Sequence, residues 1–190
     1  MDLILTRHGE TDWNAQKRVQ GSRDIPLNQT GVKQAFALAQ NLSAGKRPQK
    51  VYTSKQLRAK ETGQIVAREL HIPCEEAAGI EEMNLGLWEG LSWQQIEQQY
   101  PADLQRWINN RRYQPTPQGE SYQDTLERVL PALQKIVSGK EESVLVVTHS
   151  AIIMALMAYL NDTPFETMRQ SYTLKNAEVV ILNSEAYTFT

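Results

Sequence analysis

The chain of 190 residues holds a single cysteine, Cys74, which excludes an internal disulfide. No stretch shows the carboxylate–histidine spacing of a metal centre, so neither a metal nor another cofactor is expected. No apolar run approaches the ~20 residues of a membrane-spanning helix. The opening Met1-Asp2-Leu3-Ile4-Leu5-Thr6 lacks the basic region of a secretory signal, and a cytoplasmic location is expected. An excess of one charge is missing too. Twenty basic residues face 22 acidic ones, with a formal net charge of −2. That balance argues against nucleic acid or a membrane surface as partner, although it does not say where the arginines sit. Repeats, low-complexity segments and linkers are absent, and the length suits one domain over residues 1–190. Cys74, beside Pro73 at the start of a predicted strand, is expected to be a small buried apolar residue. Asn28, Asn41 and Asn161 begin Asn-x-Ser/Thr triplets, which are chance matches without a secretory route; Asn28 reads better as a helix cap.

What is present is an alternation of strands and helices. Asp2 to Thr6 is short and apolar, as a strand is. Val32, Ala35, Phe36, Ala39 and Leu42 follow helical spacing between Asn28 and Gly45. Lys50 to Thr53 reads as a second strand, and Ser54 to Leu70 as an amphipathic helix ended by His71-Ile72-Pro73. His71 is expected to cap carbonyls there. Residues 73–113 hold three of the four tryptophans and predict a short strand and short helices. Tyr113 to Glu120 is a loop. Ser121 and Asp124 resemble a capping box before a helix that Pro131 should kink. Ser143 to Thr148 is apolar enough for a central strand, followed by a helix over 151–160 and a last strand over 178–183. The pattern predicts an α/β fold, a three-layer αβα sandwich with a mostly parallel central sheet.

In such sheets, ligands bind beyond the carboxyl ends of the strands. Three segments deliver polar side chains there: Thr6-Arg7-His8-Gly9-Glu10, Thr53 to Arg58, and Thr148-His149-Ser150. Two histidines and two arginines from distant parts of the chain can therefore meet. A phosphate dianion needs several donors, and the guanidinium fork matches its oxygens. Imidazole is nucleophilic when neutral, and neighbouring arginines hold it so. Gly9 is expected to let phosphate approach the backbone.

Leu5-Thr6-Arg7-His8-Gly9-Glu10-Thr11-Asp12-Trp13-Asn14 resembles the signature of the histidine phosphatase superfamily, whose best-known branch is cofactor-dependent phosphoglycerate mutase. The resemblance continues through Arg18 to Leu27 and Gly31. It resumes at Thr53-Ser54, Leu57-Arg58-Ala59 and Thr62, at Glu82, Gly86 and Trp88-Glu89-Gly90, at Gly119-Glu120-Ser121, and at Val147-Thr148-His149. It implies that His8 becomes phosphorylated and that Arg7, Arg58 and His149 clamp the phosphoryl oxygens. It further implies that Asn14 hydrogen-bonds the phosphate, and that Glu82 protonates the leaving oxygen before helping to activate water. Gln20, Gly21 and Ser22 would line the entrance, with Ser150 beside the second histidine.

Ser150 stands where the family usually has glycine, Gln56 where leucine is frequent, Asn28 where Thr or Ser is common, and Gly63 where alanine is. These departures bear on pocket shape more than on chemistry. The segment that the mutase branch inserts before the Gly-Glu-Ser motif is absent, and the last predicted strand runs almost to Thr190. Both features lean toward a phosphatase that takes small-molecule phosphate monoesters and releases inorganic phosphate. A phosphoglycerate mutase and a non-catalytic phospho-ligand binding module are the alternatives. Sugar phosphates, phosphoglycerates and α-ribazole phosphate are candidate substrates. Trp88, Trp93, Trp107, Tyr113 and Tyr122 either floor a pocket for a ring or form core, and Arg111 and Arg112 either meet a second anion or are solvated. An edge strand could pair in a homodimer, though nothing requires one.

Overall fold

A computed structural model describes residues 1–187 and 189. The apolar runs pair into a five-stranded sheet of β1 (Asp2–Arg7), β2 (Lys50–Thr53), β3 (Cys74–Glu76), β4 (Ser143–Thr148) and β5 (Val179–Asn183), in the order β3-β2-β4-β1-β5. β1, β2 and β3 run parallel to their neighbours in the β3-β2-β4-β1 run; β5 lies antiparallel to β1. Alternation along the central strands sorts the core into two faces. Ile4, Val51, Leu145 and Val147 pack against α2 (Gln29–Ala44) and α3 (Leu57–Leu70). Leu3, Leu5, Val144 and Val146 pack against α6 (Tyr122–Val137) and α7 (Ser150–Leu160). The result is a mostly parallel sheet between two helical layers, an α/β sandwich.

The register of β1 on β4 pairs Arg7 with Thr148. His8 and His149 therefore leave the sheet side by side, and the His8 N–H donates to the Thr148 carbonyl at 3.0 Å. Two predicted helix starts are capped as expected: Asn28 Oδ1 accepts from Gly31 N, and Ser121 with Asp124 forms a reciprocal box. α6 continues as one element through Pro131.

Other expectations need correction. α3 begins at Leu57, not Ser54, because Ser54 Oγ accepts from the Gln56 N–H and holds the chain in a turn. His71 ends α3 through its backbone, in the left-handed region with φ of 51°, rather than through its ring. Cys74 is exposed, because β3 is an edge strand whose three residues all lie open. Val32 is exposed as well; the buried stripe of α2 runs through Ala35, Leu38, Ala39 and Leu42. Among the described residues, no helix is long and apolar enough to cross a membrane.

Candidate active site

The site is built from the carboxyl ends of β1, β2 and β4. His8 is almost wholly buried. Its Nδ1 lies 2.7 Å from the Gly9 carbonyl oxygen. A carbonyl only accepts, so Nδ1 carries the proton and Nε2 presents its lone pair. Arg58 Nε donates to that Nε2 at 3.2 Å. The Gly9 N–H is tied in turn to Thr62 Oγ1 at 3.0 Å. A Cβ on Gly9 would lie 2.6 Å from the Gly31 carbonyl oxygen. Glycine is therefore required because the start of α2 crosses this loop, and the freed space is taken by protein rather than left for phosphate.

Arg58 is fully buried at the start of α3. Its guanidinium donates to the Arg23 and Gly21 carbonyls at 2.7 and 2.9 Å. Gly21 adopts φ of 53°, and a Cβ there would strike the Glu89 carboxylate. The bend thus turns the Gly21 carbonyl onto the arginine. Arg7 donates to the Leu174 carbonyl at 3.0 Å, while its Nε is buried without a partner among the described residues. The His149 ring centre lies 5.2 Å from that of His8. His149 Nε2 meets Ser54 Oγ at 2.9 Å, and its buried Nδ1 has no partner among the described residues. An orphaned buried donor costs about 1–3 kcal/mol. The Arg7 Nε–H fits an oxyanion, and His149 Nδ1 joins it as a donor in the tautomer whose Nε2 accepts from the Ser54 hydroxyl. Among the described residues, no group of three or more His, Cys, Asp or Glu could hold a metal ion.

Burial, then Arg58 and Arg7, pushes the His8 pKa well below the usual histidine value. Burial, Arg58 and His8 do the same to His149. Both rings are therefore neutral at pH 7. Glu82 shifts the other way. Its burial raises the carboxyl pKa, against the opposing pull of Arg58, of the Met83 and Ala151 N–H groups, and of Arg7.

A cavity of about 610 Å³ opens from this floor. Arg7, His8, Asn14 and Glu82 lie at its inner end, and Trp93, Trp107, Leu104, Ile108, Arg111 and Arg169 line its outer part. Its aromatic wall comes from α4 (Trp93–Gln99) and α5 (Pro101–Asn109), and Arg169 from α8 (Met168–Tyr172). Trp93 and Trp107 stack with centroids 5.9 Å apart.

A family model described as "Histidine phosphatase superfamily (branch 1)" matches residues 3–190. The chain belongs to the histidine phosphatase superfamily. An Arabidopsis thaliana metal-independent phosphoserine phosphatase is 35% identical over 82% of this chain. The chain spans 66% of that relative's length, and 35% of a 6-phosphofructo-2-kinase/fructose-2,6-bisphosphatase from Caenorhabditis elegans. Among solved structures, YhfR of Bacillus stearothermophilus superposes with a TM-score of 0.86 at 34% identity, covering 96% of this chain and 90% of that one. A mycobacterial glucosyl-3-phosphoglycerate phosphatase complexed with VO3 gives 0.84 at 28%, with the same coverage. The fold is that of an enzyme of the histidine acid phosphatase type.

The structure brings the buried His8, Arg58 and His149 together with the half-buried Arg7, with Asn14, Gln20, Gly21, Glu82 and Ser150 lining the adjoining cavity. Ser22 is not among the lining residues; its N–H and hydroxyl both donate to Glu89 Oε1, at 2.7 and 2.8 Å. Gln20 Oε1 accepts from the Thr11 hydroxyl at 3.0 Å. The aromatic residues divide: Trp88 is core, Trp107 and Tyr122 are buried yet line the cavity, Trp93 lines it at 39% exposure, and the exposed Tyr113 is not among the lining residues. Arg111 lies over Trp107 beside the cavity, and Arg112 faces the Tyr113 and Phe165 rings.

Sequence reasoning missed Asn176. Its Nδ2 donates to the His8 carbonyl at 2.9 Å and to Asn14 Oδ1 at 3.3 Å, so it fixes the His8 loop and turns the Asn14 amide nitrogen away from itself. Asn176 stands in a polar stretch without periodicity, 168 residues from His8, and no signal in the sequence points to it.

Proposed function

We propose that the chain hydrolyses phosphate monoesters through a phosphohistidine on His8, with Glu82 as proton donor, within one histidine phosphatase domain over residues 1–190. One observation carries this reading. The Gly9 carbonyl holds the proton on His8 Nδ1, so the deprotonated Nε2, met by Arg58 Nε, stands in a cationic pocket where Arg7 Nε and His149 Nδ1 are buried without partners among the described residues.

In the first step Nε2 attacks phosphorus in line, and the bond to the leaving oxygen breaks. The Glu82 proton passes to that oxygen, which departs as the alcohol. Arg7, Arg58, His149 Nδ1 and the Asn14 amide hold the three equatorial oxygens as they flatten, which is where most of the rate enhancement of phosphoryl transfer arises. In the second step the Glu82 carboxylate takes a proton from water. The water oxygen attacks phosphorus, the N–P bond breaks, and inorganic phosphate leaves. Charge compensation by arginines makes a metal unnecessary in this scheme.

The cavity favours a large leaving group. Ligand sites for molecules of drug size run from ~300 to 1,000 Å³, and this one lies within that range. A phosphate fills only its inner end, so the leaving group reaches the Trp93 and Trp107 wall. The sugar-bearing phosphoglycerate named for the mycobacterial relative agrees with that size better than phosphoserine does.

Rapid alkaline quench against an aryl phosphate tests the chemistry. The expected result is a burst of alcohol and an acid-labile, base-stable phosphoenzyme, both lost in His8→Ala. Phosphate release by His8→Ala at the wild-type rate would overturn it.

A further inference from the structure

Glu82 lies in a loop, outside every helix and strand, and a general acid must be held to a fraction of an ångström. Its peptide is gripped on both sides. Gln56 Oε1 accepts the Glu82 N–H at 2.8 Å, while Gln56 Nε2 donates to the Gly21 carbonyl at 3.0 Å. Gln56 is itself buried. The same amide therefore links the Glu82 loop to the carbonyl that orients Arg58.

On the other side stands Arg128, from the middle of α6. It donates to the Gly79, Glu81 and Glu82 carbonyls at 3.0, 2.8 and 3.1 Å. Its remaining N–H groups form a fork onto Glu120, both contacts at 3.0 Å. Glu120 also accepts the Asn84 N–H at 2.7 Å. One guanidinium thus gathers three carbonyls between Gly79 and Glu82 and ties them to a carboxylate. Gly119 fits the same purpose: a Cβ there would lie 2.4 Å from the Asn84 carbonyl oxygen, so only glycine lets the two strands of the loop cross.

From this geometry we infer that Arg128, braced by Glu120, and Gln56 are positioning residues that aim the Glu82 carboxyl at the leaving oxygen. The inference rests on Glu82 being the acid. It explains why a partly buried arginine that does not line the cavity aims three of its five hydrogen bonds at backbone carbonyls of the acid loop and the other two at the carboxylate that braces it. A surface ion pair would be worth little by itself.

The test uses the dependence on leaving group. Nitrophenolate leaves as an anion near neutral pH and needs no proton; an alkoxide does. General acid catalysis is worth about 10²–10⁴-fold where it is needed. The ratio of kcat/KM for an alkyl phosphate to that for 4-nitrophenyl phosphate is measured in the wild type, Glu82→Gln, Arg128→Met and Gln56→Met. The expected result is a ratio lowered by at least about tenfold in Arg128→Met, less in Gln56→Met, and most in Glu82→Gln. Damage to the phosphate cradle or to folding lowers both substrates together and leaves the ratio alone. An unchanged ratio in Arg128→Met and Gln56→Met, with a lowered one in Glu82→Gln, overturns the positioning role while sparing the acid. An unchanged ratio in Glu82→Gln removes the acid assignment and the positioning role with it. Should Arg128→Met fail to fold, Gln56→Met decides by the same ratio.

Discussion

The inner and outer ends of the cavity are built on different terms. At the inner end, Arg58 is fully buried, and three of its nitrogens are bonded to His8 Nε2 and to two loop carbonyls. At the outer end, Arg111 rests its guanidinium 4.4 Å from the Trp107 ring, and its Nε has no partner among the described residues. Trp93 is 39% exposed in the same wall. The inner groups are fixed before substrate arrives, as transition-state stabilisation requires, because donors that must reorganise lose their advantage. The outer groups Trp93 and Arg111 are held by ring contacts instead of a hydrogen-bond network. Chemistry is thus set by one end and substrate choice by the other, and mutations should separate the two.

The largest separation is expected from Arg58→Ala. Loss of about 10²–10³-fold in kcat should follow, equal for every phosphate ester tested. A loss that depended on the leaving group would blur the division. Next comes the pH profile. His8 is protonated only well below its usual value, whereas Glu82 keeps its proton above the ordinary carboxylate range. Activity toward an alkyl phosphate should therefore fall on the alkaline side as Glu82 ionises, and that limb should vanish in Glu82→Gln with a loss of about a hundredfold. Persistence of the limb in the variant would place its origin elsewhere.

Trp93→Ala probes the outer end. Loss of its stacking should raise KM for naphthyl phosphate about three- to tenfold and leave that for methyl phosphate unchanged. Equal changes for both esters would mean that the wall is only cover. The smallest effect concerns stability. Because His8 and His149 have lowered pKa values in the fold, the unfolded chain binds more protons once pH drops below about 6.5. Stability should be fully present above that value and decline below it, by up to about 1.4 kcal/mol per pH unit for each ring. Glu82, shifted upward, acts in the opposite sense as it ionises. Thermal melts between pH 7.5 and 5 check the balance; a melting temperature that rises on acidification would contradict the neutral, buried rings. Trp93→Ala should leave the slope intact, since the outer end carries none of these groups.

Arg7, His8 and His149 were legible because they end or directly follow strands, and a short connection leaves little freedom in where the next side chain goes. Arg58 was legible as a charge at the first turn of a helix after β2. Ser54 and Gln56 were visible only as motif neighbours, and their bonds to His149 and Glu82 reach 95 and 26 residues along the chain. The exposure of Cys74 was misread because nothing in three residues marks β3 as an edge. Glu120 matched a motif without a reason, and the reason is Arg128, eight residues on but one turn of packing away from the acid loop.

The amino-acid sequence by itself determined the alternation of elements, the two apolar faces of the sheet and the kinds of groups delivered to its carboxyl edge. Those follow from periodicity and side-chain chemistry, which are local. Only the tertiary structure decided which nitrogen of His8 holds the proton, which donors lack partners and which way each pKa moves. Such properties depend on burial and on charges a few ångströms apart in space, and electrostatic energy falls with spatial distance and local dielectric, not with separation along the chain.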